Sequence, residues 1–282
     1  MRAIVIALLC CFATHTQAYE LFARTNLVAW CIVPFDAKKR GPEERAQMLE
    51  RLGIHKFAYD WRAEHIPTFD AEIAACRKRD IEITAWWFPT TLDKDAQTIL
   101  AALERNKART QLWVMGGGSD AKSADEQKQR VNAEAKRIRS IAEGAAKIGC
   151  TVALYNHGGW FGEPTNQVAI IKQLRSVGVT NVGIVYNFHH GHEHIGHFPQ
   201  LFRAMQPYLA CVNINGMVKD GEGTGKKILT IGAGDQELAM LRVIRDSGWT
   251  GPIGIINHRT ELDAEVALRE NVQGLEKLRR EL

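Results

Sequence analysis

Eight short apolar runs divide this chain, and each is followed by a segment of helix length whose apolar residues return at spacings of three and four. The runs are NLVAWCIVP, KFAYDW, ITAWWFP, QLWVMGG, CTVALYNHGG, NVGIVYNFHH, LACVNINGM and GPIGIINH. They are nearly continuous in apolar and β-branched residues, the pattern of parallel strands covered on both faces. The intervening segments, from PEERAQMLERLG to the closing LDAEVALRENVQGLEKLRREL, carry the one-sided periodicity of helices that cover a sheet. Glycines at 53, 149, 178 and 248 mark helix ends. Eight strand–helix units predict a (β/α)8 TIM barrel, a single domain. The rival, a doubly wound open sheet, needs a glycine-rich phosphate loop after its first strand. CIVPFDAKKRGP has none, and the MGGG at 115–118 comes too late and reads as a turn.

Charge excludes one class of partner. The net charge is +4, with Lys and Arg spread among Glu and Asp on the helical segments. Without a basic patch interleaved with aromatics, no nucleic-acid surface is expected.

The first residues follow a different rule. MRAIVIALLCCFATHTQAYE has an early arginine, an apolar run from Ala3 to Ala13, and a polar stretch ending in a small residue, Ala18. This is the layout of a secretory signal. It predicts a signal peptide over 1–18, a barrel over 19–282, and a secreted or periplasmic mature chain. The run is too short to span a bilayer, and Cys10 and Cys11 lack the small residues that precede a lipidated cysteine, so no lipid anchor is expected. A buried first strand is the alternative. Cys31, Cys76, Cys150 and Cys211 are far apart, without CxxC spacing, and read as buried free thiols.

In such a barrel, reacting groups sit at the C-terminal ends of strands. The sixth strand end runs into a loop holding His189, His190, His192, His194 and His197, half of the chain's ten histidines. His157, His190 and His258 follow the fifth, sixth and eighth runs, so they are candidates to meet across the mouth and hold a divalent metal, to which imidazole is suited. Alternation along a strand sends neighbours opposite ways, so His189 and His190 are not both expected to face inward. His194 and His197 read as loop or cap residues. Trp61, Trp87 and Trp160 are candidate platforms for a sugar ring, with Asn156, Asn187, Asn213, Asn215 and Asn257 as hydroxyl partners. Glu163, Glu193, Asp60 and a free histidine such as His192 are candidate acids and bases. Lys219 and Lys227 could hold an anionic group, although loop lysines are usually just solvated.

The order LYNHGGW, VYNFHHGH, VNINGM and ILTIGAGDQEL resembles that of the xylose isomerase-like barrels, the sugar phosphate isomerase/epimerase superfamily, from about Asn26 to the C-terminus. Gly232, Gly234 and Asp235 resemble that family's G-x-G-D segment. The resemblance implies a divalent metal (Mn, Zn, Mg or Fe) and proton transfer beside a sugar carbonyl. It also implies metal ligands that this chain lacks. Tyr155 stands at the position of a fifth-strand Glu, Asn187 at that of an Asp, Asn213 at that of a His, and Ile256 and Asn257 near that of an eighth-strand Glu. Only His190 is retained. The expectation is a site rebuilt around histidine and asparagine, in an exported enzyme acting on a sugar or keto-sugar as isomerase, epimerase or lyase. A metal-assisted hydrolase and a catalytically inactive carbohydrate-binding barrel are the alternatives. The partner expected is a small carbohydrate, with no membrane insertion of the mature chain; the oligomeric state is open, a homo-oligomer included.

Overall fold

The computed structural model describes residues 20–282. The signal-peptide expectation for 1–18 lies outside them. Eight parallel strands close on themselves in sequence order: β1 Leu27–Trp30, β2 Lys56–Tyr59, β3 Glu82–Phe88, β4 Gln111–Val114, β5 Thr151–Tyr155, β6 Val182–Asn187, β7 Leu209–Ile214 and β8 Ile253–Ile256. The cylinder is sealed by β1 against β8, from Leu27 opposite Ile253 to Trp30 opposite Ile256. Around it lie α1 Pro42–Leu52, α2 Phe69–Arg77, α3 Lys94–Arg105, α4 Ala124–Lys147, α5 Pro164–Ser176, α6 Phe198–Met205, α7 Glu237–Asp246 and α8 Ala264–Leu278. Each answers to one of the amphipathic segments read from the sequence, and the fold is the single-domain (β/α)8 barrel expected. Among the described residues no helix is long and apolar enough to cross a membrane.

Local chemistry fixes the helix ends. Asp93, Ser123 and Asp263 accept hydrogen bonds from the first-turn amides of α3, α4 and α8, satisfying donors that a helix start leaves free. Gly53 closes α1 at φ 65°, a left-handed turn that costs a side-chain-free residue little. Glu237 accounts for the G-x-G-D segment: its carboxylate accepts from the amides of Gly232, Gly234 and Met217 and ties the 230s loop to the end of β7. That segment is a scaffold.

Two cores result. The larger lies between strands and helices; the smaller fills the cylinder, where Trp30, Trp113 and Tyr155 alternate with Ala58, Ala85, Ala153 and Cys211. Trp30 meets Trp113 edge-on at 4.7 Å, and Trp87 meets Tyr155 edge-on at 5.0 Å. The four cysteines are buried and free, as expected.

Above this layer the polar residues of β5–β7 satisfy one another. The Asn156 side chain accepts from the backbone and side-chain nitrogens of Asn187, and the Asn187 side chain accepts from that of Asn213 at 2.6 Å. A buried amide must be paired in this way or lose stability. The ladder needs Gly254 opposite, because a Cβ there would collide with the Asn213 amide oxygen. Gly254→Ala is therefore expected to cost about 1–3 kcal/mol through overpacking, read as a lower urea midpoint with an unchanged slope.

Candidate functional site

At the C-terminal mouth lies an inner cavity of about 250 Å³, opening onto an outer one of about 680 Å³. The inner cavity has an aromatic floor of Trp30, Trp87 and Tyr155, and a polar wall of His157, His189, His190, His258, Asp60, Arg62 and Lys227. The outer one is bordered by Glu163, His192, Glu193, His194, Asp220 and Glu222. His157, His189, His190 and Lys227 stand between the two.

The histidines do gather. His157 and His190 have ring centroids 4.5 Å apart, His189 and His190 3.9 Å, and His189 and His258 5.9 Å. The expectation that only one of His189 and His190 faces inward is corrected: both line the inner cavity. Strand β6 ends at Asn187, and Phe188–His190 form a 3-10 turn, which breaks the two-residue alternation. Phe188 goes to the core instead. Among the described residues no three His, Cys, Asp or Glu side chains form a ready-made metal-binding group.

Two backbone positions at the barrel seam are strained. Cys31 has φ 55° and His258 φ 50°, and the His258 amide donates to the Cys31 carbonyl. A side chain in this region costs energy unless the surroundings hold it there. The turn ends β1 at Trp30, earlier than the apolar run to Pro34 suggested. It also swings His258 against Phe35, stacked at 4.0 Å.

Burial sets the electrostatics. It lowers the pKa of all four mouth histidines, His190 to about 3 with the charges of His157 and Lys227 adding to the effect. The imidazoles are therefore neutral at pH 7, with lone pairs free to accept a proton or a ligand. His189 Nδ1 is buried without a hydrogen-bond partner. Asp60 is 2% exposed, and burial raises its carboxyl from 3.8 to about 7, against the opposing pull of Arg62. Its Oδ1 accepts from the Val33 amide at 3.2 Å, while Oδ2 has no partner.

The other predicted residues fall elsewhere. Glu163 is at the outer cavity, with its carboxylate 3.3 Å from His194 Nε2, a contact that lowers its pKa. His192 points its two ring nitrogens at the carbonyls of Val218 and Lys227, each 2.9 Å away, and so pins the loop after β7. His194 is buried between Tyr186 and Glu163, and His197 leads into α6, consistent with loop and cap roles. Of the three tryptophans only Trp87 lines a cavity. The Trp61 indole donates to the Trp87 carbonyl and packs edge-on against Phe69, and the Trp160 indole donates to Gln127. None of the five asparagines lines either cavity. Asn156, Asn187 and Asn213 form the ladder; the Asn215 amide binds the Gly216 and Lys227 carbonyls, and that of Asn257 the Phe35 carbonyl. Of the lysines, Lys227 reaches the inner cavity and Lys219 reaches neither. Arg62, Phe35, Tyr155 and His189 were not assigned a role; Phe35 and Arg62 directly follow predicted strand runs and Tyr155 and His189 lie within them, which was the available signal.

A (β/α)8 barrel with neutral histidines gathered at its fifth, sixth and eighth strand ends defines a class, and comparison gives the family. Residues 18–278 match the family model for the xylose isomerase-like TIM barrel, and the chain belongs to that family. Solved structures agree in fold. The 3-keto-D-glucoside 4-epimerase of E. coli superposes with a TM-score of 0.65 at 14% identity, covering 91% of this chain and 99% of that one. The IolI protein with a bound zinc atom gives 0.66 at 14%, covering 90% and 98%. The D-psicose 3-epimerase of Clostridium cellulolyticum H10, with D-tagatose, gives 0.62 at 13%, covering 90% and 98%. A search of curated proteins finds no significant match.

The Asp60 environment carries a sign that stability can test. Its pKa is higher folded than unfolded, so folding favours the protonated form, and stability falls as pH rises from about 4 to about 7. Asp60→Asn removes an ionisation worth up to roughly 4 kcal/mol. The variant's Tm is expected to exceed the parent's by a margin that grows over this range and then levels off, as thermal melts at several pH values would show.

Proposed function

We propose that this chain is an enzyme acting on a sugar or keto-sugar by moving a proton at a carbon next to a carbonyl, as an isomerase, epimerase or lyase does. The observation that carries this reading is Asp60: a buried carboxyl with one unpaired oxygen and a pKa near 7, on a cavity of neutral imidazoles. A base is most useful when its pKa lies near the working pH. Family membership and the sugar epimerases among structures of the same fold support the choice of substrate class. The inner cavity is slightly below the roughly 300–1,000 Å³ common for small-molecule sites, which suits one sugar ring. Trp87 and Trp30 offer apolar faces to its C–H groups, and Asp60 Oδ2 takes the proton. Neutral His189 and His190 can donate hydrogen bonds to the oxygen on which negative charge develops.

The carboxylate cage implied by the resemblance is absent: Asn187 and Asn213 bond to each other, and the Tyr155 hydroxyl accepts from the Trp30 indole. The donor chemistry farther out does suit a divalent ion, since the imidazoles are neutral and His189 Nδ1 is unpaired. As they stand no three of these donors converge on one point, so His157, His190 and His258, with His189 beside them, would hold an ion only after drawing together. Bound there, the ion would supply Lewis acidity toward a carbonyl or hydroxyl oxygen. The leader-like stretch from Met1 to Ala18 supports export, which the N-terminal sequence of secreted protein would test.

Proton exchange tests the chemistry. A panel of sugars and keto-sugars in D₂O should yield one that gains deuterium at the carbon beside its carbonyl. For that substrate kcat/KM should rise with pH and level off near 7, and Asp60→Asn should lower it by roughly 10²–10⁴ while the fold persists. Hydrolysis without exchange would turn the reading to a hydrolase, and binding without either to an inactive carbohydrate-binding barrel. Elemental analysis should find about one divalent ion per chain, lost in His157→Ala/His258→Ala.

A further inference from the structure

We propose that the sugar bears a carboxylate, as a uronic or aldonic acid does, and that Arg62 grips it inside the inner cavity, with Lys227 opposite. This rests on the enzyme reading above and names its substrate class. The cavity wall holds two permanent cations, and its one acidic side chain is Asp60. Asp60 sits below the surface with Oδ1 turned to the Val33 amide. Lys227 pairs at 2.7 Å with Glu222, whose side chain is 73% exposed in the outer cavity; a pair so open to water is weak and exchangeable.

Arg62 is held more firmly. Its Nη1 donates to the carbonyls of Asp60 (2.9 Å) and Trp61 (2.7 Å), and its guanidinium carbon lies 5.6 Å from the centre of the Phe35 ring. Phe35 is itself stacked on His258. The planar group is thus fixed in orientation before any ligand arrives, by backbone carbonyls rather than by a carboxylate, with Asp60 acting on it only through its charge. Nε and Nη2 are left for a ligand. A guanidinium with two donors on one edge matches a carboxylate in two parallel hydrogen bonds. The neutral imidazoles add no competing charge and can donate to hydroxyls. Two buried polar atoms without partners, His189 Nδ1 and Asp60 Oδ2, belong to residues of the same wall.

Calorimetric titration of the full protein with matched pairs tests this: D-glucuronate against D-glucose, D-galacturonate against D-galactose, D-gluconate against D-glucitol. D-glucose 6-phosphate separates a planar carboxylate from a phosphate. At least one acid should bind about tenfold or more tightly than its neutral partner. Arg62→Gln should abolish that preference, weakening the acid about tenfold or more beyond any change it makes to the neutral sugar. Lys227→Gln should weaken it several-fold, and Lys219→Gln, outside both cavities, should leave it intact. If Arg62→Gln does not fold, loss of the preference in Lys227→Gln and on adding salt takes its place. No preference across the panel, a preference for the phosphate alone, or one that survives Arg62→Gln (or, in its place, Lys227→Gln and salt) would overturn the inference. Deuterium exchange on a neutral sugar without acid preference would retain the chemistry and reject the carboxylate; acid preference without exchange would do the reverse.

Discussion

Every strand of a closed parallel cylinder buries both of its faces, and this governs where polarity can appear. Inside, Trp30, Trp113 and Tyr155 interlock with alanines and Cys211; outside, the helices cover the sheet. A polar group placed along a strand must then find a partner within the chain, as Asn187 and Asn213 do. Where strands end that constraint relaxes, and there the protein gathers histidines, a carboxyl and two cations around one hollow.

Desolvation sorts those groups by role. Imidazole gives up its proton rather than stay charged out of water, and a buried carboxyl holds its proton to unusually high pH. Guanidinium does neither, since its pKa lies too far from neutral. One environment therefore makes His189 and His190 neutral and Asp60 titratable near neutrality. The strained backbone at Cys31 and His258 is consistent with a site whose geometry is held by packing around it.

Architecture was legible in the sequence because periodicity reports burial directly. All eight strand runs and all eight helical segments are present, in the order read. The mouth was legible only as a location. Strand alternation misled at His189, because a 3-10 turn replaces the strand one residue earlier. The asparagines pointed to hydroxyl recognition, but amides on neighbouring strands can reach each other, and a single strand's pattern does not reveal its neighbour's register. Trp87 lies within β3, whereas Trp61 and Trp160 lie past the ends of β2 and β5, where loop packing sets their direction. The sequence placed Arg62 at the second strand end, but not Phe35, far away in sequence, beneath it.

The hollow draws its walls from the first, second, third, fifth, sixth and eighth strand ends and from the loop after the seventh, and its strained seam joins the first to the last. No fragment of the chain contains it. During synthesis from the N-terminus, Phe35 and Arg62 are made long before His258 exists to complete the ring. A chain still being made, or cut short before its final strand, lacks His258 and the seam turn with Cys31, and so cannot close the hollow.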